Sequence, residues 1–84
     1  MPDRREVERV QTGVRMEKRL VKVLKALAEY YDISLGDLLE GIVLHAFDGK
    51  SAFSAESVER IGRLKQIYEL DLDSSDSHRL TEKP

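Results

Sequence analysis

The side chains of this sequence that could do chemistry are mostly basic, and they are gathered at one end. Residues 1–25 carry eight of them (Arg4, Arg5, Arg9, Arg15, Lys18, Arg19, Lys22 and Lys25) against four acidic ones; residues 26–84 carry six basic and twelve acidic. The formal net charge of −2 therefore hides a positive N-terminal third and a negative remainder. Clustered positive charge, rather than its sum, draws phosphate. Other chemistries are poorly supplied. The absence of cysteine removes disulfides and thiolate metal sites, and His45 and His78 stand too far apart in the chain to argue for a metal. Asp71, Asp73 and Asp76 are spaced somewhat like a calcium loop, but they lack its turn glycine and closing glutamate. There is no glycine-rich phosphate loop and no plausible Ser-His-Asp set, and so short a chain struggles to enclose a substrate. The expectation is a non-enzymatic protein with no cofactor and no metal.

The elements that must position these residues follow from periodicity. Eighty-four residues make one domain, and a domain this small often needs a partner subunit to complete its core. No apolar run approaches the roughly 18 residues of a membrane span. No apolar stretch follows Met1-Pro-Asp-Arg-Arg-Glu as a signal peptide would, so a cytoplasmic, non-membrane protein is expected. Residues 1–7 read as a flexible N-terminal arm. From Val10 the pattern alternates: Val10, Thr12, Val14 and Met16 share one face, while Arg9, Gln11, Gly13 and Arg15 share the other. This predicts a half-buried strand. No second strand is visible in the sequence, so the expected partner is the same strand of a second chain across a two-fold axis.

Residues 17–32 predict an amphipathic helix with Leu20, Leu24, Leu27, Ala28 and Tyr31 on its apolar face. Tyr30 and Tyr31 are adjacent, so one faces the core while the other covers a flank or stacks. Ser34 predicts an N-cap, with Asp37 three residues on and Ile33 and Leu38 placed as a staple. The second helix then runs to Phe47, with an apolar stripe too wide for one neighbour. Gly49 closes it. Ser54 caps a third helix, flanked by Phe53 and Val58, that is expected to reach Leu70 within the segment 53–70. Residues 71–84 read as a disordered polar tail.

Strand, helix and Ser-capped helix within about 40 residues resemble the layout of the ribbon-helix-helix repressors, the Arc, methionine-repressor and CopG-like class. Gln11-Thr-Gly-Val-Arg-Met-Glu-Lys-Arg-Leu is similar to that family's strand and the start of its first helix. Ile33-Ser-Leu-Gly-Asp-Leu-Leu-Glu-Gly-Ile is similar to its turn and second helix. The resemblance implies a mostly α fold with one strand. It would form an intertwined homodimer with an intersubunit antiparallel β-ribbon across residues 8–48, followed by a C-terminal third helix. It implies that Arg9, Gln11, Gly13 and Arg15 contact bases of double-stranded DNA in the major groove. Phosphates would be held by the amides of Leu35 and Gly36 beside Ser34, with Lys18, Arg19 and Lys22 adding backbone contacts. Val10, Val14, Met16, Leu24, Leu38 and Ile42 would form the dimer core. The chemistry of the residue types agrees in part: arginine pairs with guanine O6 and N7, glutamine with adenine, and a two-stranded ribbon fits the major groove.

The expected function is sequence-specific DNA binding by a transcriptional regulator, a repressor in the resembled family. One alternative is an antitoxin whose residues 51–84 bind a toxin as protein partner. Another is a dimerisation module that has lost DNA binding.

Overall fold

The computed structural model describes residues 4–84, and among them the chain is all-helical. Helices α1 (Lys18–Tyr31), α2 (Leu35–Phe47) and α3 (Ala55–Ile67) are followed by one 3₁₀ turn at Ser74–Asp76. α1 is the central element, and both α2 and α3 pack on it. Its apolar stripe supplies buried Val23, Leu27 and Ala28. Leu38 of α2 is buried against Leu27 and Ala28; Ile42, Phe53, Ile61 and Leu64 pack around them, half-buried. Leu70, just beyond α3, is also buried.

The starts of the helices were legible. Ser34 Oγ accepts from the amide of Asp37, and Ser54 Oγ accepts from the amide of Ser57, as N-caps do. α1 begins differently. Glu17, expected inside its first turn, is the N-cap: its carboxylate accepts from the amides of Arg19 and Leu20 at 2.6 and 3.1 Å. The ends share one device. After each helix a residue takes a left-handed conformation: Asp32 at φ 58°, Gly49 at φ 68° and Glu69 at φ 55°. In each case the next amide bonds back five residues: Ile33 to Ala28, Lys50 to His45, and Leu70 to Lys65. The glycine at 49 announces this motif, whereas Asp32 and Glu69 do not. Hence α3 stops at Ile67 rather than Leu70, because the reversal at Glu69 turns Leu70 back into the core.

The expected strand is not formed. Residues 8–17 are neither helix, strand nor turn, and no strand occurs among the described residues. The one-strand ribbon-helix-helix architecture, with its intersubunit ribbon, is therefore corrected to an all-helical fold. The physical reason is backbone pairing. A strand persists only beside another row of donors and acceptors, and no other segment among the described residues provides one. Alternation fixes which side chains fall together on an extended backbone; it does not supply a neighbour. The arm is tethered by side chains instead, Arg9 to Glu40 and Arg15 to Glu82, leaving Val10 and Val14 82% and 73% exposed. Residues 1–3 of the expected flexible arm lie outside the described residues.

The chain is loose for its size. It exposes 7845 Å², where a globular chain of 9.6 kDa exposes about 5,100 Å². Its radius of gyration is 14.3 Å, against about 12 Å for a compact domain of this length.

Two substitutions test this account by chemical denaturation. Leu27→Ala removes the most deeply buried side chain and is expected to cost about 2–5 kcal/mol, a large share of the stability of so small a domain. Glu69→Gly relieves the left-handed backbone and is expected to stabilise by up to about 1 kcal/mol.

Candidate nucleic-acid interface

The basic residues of the first third divide into three groups. Lys18, Lys22 and Lys25 are spaced i, i+4, i+7 along α1, and all three are exposed. No ion pair among the described residues involves them, so they form a cationic stripe on the outer face of the central helix. Arg4 and Arg5 are exposed on the arm and are likewise outside these pairs.

Arg9, Arg15 and Arg19 are engaged within the chain. Arg9 donates from Nε and Nη2 to the two carboxylate oxygens of Glu40 at 2.8 and 2.9 Å, a bidentate pair that ties the arm to α2. Arg15 donates in the same manner to Glu82, at 2.9 and 2.5 Å. Arg19 is half-buried and holds three partners: the Glu17 carboxylate at 2.6 Å, the Glu69 carbonyl at 2.8 Å and Asp71 at 3.0 Å. Of the residues expected to contact phosphate, Lys18 and Lys22 are thus available, while Arg19 acts mainly as a clamp joining the start of α1 to the end of α3. The α2 N-terminus carries Ser34, Leu35 and Gly36, but Asp37 lies in its first turn and the Arg9–Glu40 pair sits a turn later. The Asp37 carboxylate opposes an anion there, while Glu40 is neutralised by Arg9.

Gln11 is exposed and makes no side-chain hydrogen bond among the described residues. Gly13 stands out because nothing among the described residues requires a glycine there. Its φ is not in the left-handed region, and a Cβ built on it would meet nothing within 4 Å. Among the residues expected in a dimer core, Leu38 is buried and Leu24 and Ile42 are half-buried within this chain's own core; Val10, Val14 and Met16 are exposed.

A cluster that sequence reasoning missed joins α1 to α3. Arg60 stacks on Tyr30, with its guanidinium carbon 4.1 Å from the ring centre, and donates to Tyr31 Oη at 3.0 Å. Tyr31 Oη also hydrogen-bonds to Ser57 Oγ. The adjacent tyrosines were the only signal, and they named no partner. Glu40, Asp71 and Glu82, which hold the three arginines, gave no signal beyond their sign. A groove of about 470 Å³ opens beside the core, lined by Leu20, Leu24, Ile42, Phe53, Leu72 and Leu80 among others. No group of three metal-ligating side chains occurs among the described residues, and none of their helices is long and apolar enough to cross a membrane.

No family model, no curated protein and no solved structure matches this chain.

The ion pairs set a pH dependence. The hydrogen bond from Arg9 holds the Glu40 carboxyl below its ordinary range, and that from Arg19 does the same for Glu17. A carboxylate with a lowered folded-state pKa stabilises fully above its unfolded value, and the contribution is lost as pH falls through the folded value. On acidification, the arm is therefore expected to detach from α2 only below the ordinary glutamate range. Carboxyl-carbon NMR titration checks this: the Glu40 midpoint should lie below that range and return to it in Arg9→Ala.

Proposed function

We propose that the chain is a duplex-DNA-binding protein that acts as a homodimer, in the manner of a transcriptional regulator. The observation that carries the reading is the separation of charge in space. Arg4 and Arg5 on the arm, with Lys18, Lys22 and Lys25 along α1, are exposed and enter no ion pair among the described residues, while most acidic residues lie on or just after α2 and α3 and in the tail, with Glu6, Glu8, Glu17, Glu29 and Asp32 left among the cations. A helix-borne cationic stripe with a basic arm suits a phosphate backbone, which rewards each neutralised phosphate by counterion release. Exposed Gln11 and unconstrained Gly13 support close approach of the arm to a base or phosphate.

Exposed apolar surface supports the homodimer. Besides Val10 and Val14, Val43, Leu44 and Phe47 on the second half of α2 are 44%, 64% and 81% exposed. Two copies also double the cationic surface.

Duplex affinity, read by fluorescence anisotropy, is expected to fall linearly with the logarithm of salt. Lys18→Ala/Lys22→Ala should lower that slope by about one for each phosphate that is no longer neutralised. Binding that ignores salt, or its absence at low salt, overturns the reading. Sedimentation equilibrium tests the second copy. Wild type should be dimeric at micromolar concentration. Val14→Asp/Phe47→Asp should shift it toward monomer, although both side chains point to solvent in the single chain. A monomeric wild type overturns the dimer.

A further inference from the structure

We propose that the acidic segment Asp71–Pro84 is a built-in competitor for nucleic acid, its carboxylates occupying the arginines that a phosphate or base edge would otherwise use. The proposal rests on the DNA-binding reading above.

Four observations carry it. Glu82 meets Arg15 through both Nε and Nη2, the edge with which a guanidinium grips phosphate or guanine, so carboxylate and nucleic acid exclude each other there. Asp71 lies 3.0 Å from Nη1 of Arg19 and, together with Glu17 and the Glu69 carbonyl, keeps that clamping guanidinium from a polyanion. The Arg15–Glu82 pair is open to solvent on both sides, with side chains 83% and 66% exposed, so nothing buried locks it and a polyanion can displace it. The segment is also held at hand. Leu70 is buried, Leu72 is half-buried, and the 3₁₀ turn between them and Glu82 is fixed by a reciprocal cap of Asp73 and Asp76. A short tether of this kind keeps Glu82 at an effective concentration of about millimolar beside Arg15. A carboxylate that is weak by itself then competes against non-specific phosphate but yields to a site whose base edges also engage Gln11. The segment would thereby sharpen discrimination by suppressing weak, charge-only binding.

The test uses the full chain in three forms: wild type, Glu82→Gln, and Glu59→Gln. The last removes the same charge and frees one arginine, Arg63, from an equally exposed ion pair on α3, away from the arm and the lysine stripe. Affinity for random-sequence duplex is expected to rise at least about threefold in the tail variant, the scale of one exposed ion pair, and clearly less in the control. Equal gains overturn the proposal. Because the chain has no cysteine, Thr81→Cys accepts a single nitroxide label. The amides of Gly13 to Met16 should be broadened in the free protein and sharpen when duplex is added. No broadening in the free protein, or broadening that persists in the bound state, overturns the competition while leaving DNA binding intact. If none of the three chains binds duplex, the DNA-binding reading itself fails and the competition falls with it.

Discussion

Leu27 is the contact on which the three helices converge. It lies on the inner stripe of α1 with Val23 and Ala28, and Leu38, Ile42, Ile61 and Leu64 close around that stripe. α2 and α3 each pack on α1, so the relative placement of everything else is set through this one helix. Few side chains are fully buried, and the hydrophobic term is correspondingly small. The chain supplements it with helix caps and with polar clamps between α1 and α3: Arg60 on Tyr30 and Tyr31 at one place, Arg19 on Glu69 and Asp71 at another. Surface ion pairs add little by themselves, but a clamp fixed to two packed helices helps to define how they meet.

The same helix organises the charge. Its inner stripe holds the core, and its outer stripe holds Lys18, Lys22 and Lys25. The arm that precedes it has no ladder of its own. It is positioned by bidentate arginine–carboxylate pairs to α2 and to the tail. These pairs position the arm and, at the same time, neutralise its guanidiniums. An exposed pair serves both ends because it is directional enough to place a segment and weak enough to be exchanged.

The surface left uncovered follows from this economy of core. A small three-helix chain with a 14-residue central helix cannot wrap its own apolar residues. Val10, Val14 and Phe47 are turned to solvent, and a groove stays open beside Leu20 and Leu24. Such surface is what marks association sites on small proteins.

The sequence by itself determined the helices and the charge. Ser34, Ser54 and Gly49 carry local signals that act through their own backbone neighbours, and the apolar spacing of Leu20, Leu24 and Leu27 named the core face of α1 without tertiary information. Only the tertiary structure decided what became of the alternating segment. Period two specifies sidedness, whereas a strand needs a second row of backbone groups that sequence periodicity cannot guarantee. The tertiary structure also decided which cations remain available. Arg15 and Arg19 look like Lys18 and Lys22 in composition, and the tail carboxylates that hold them, Glu82 and Asp71, lie more than 50 residues away. A long-range ion pair leaves no periodic trace, so the division of the basic residues into held and available became visible only once the tail folded back over the arm and the start of α1.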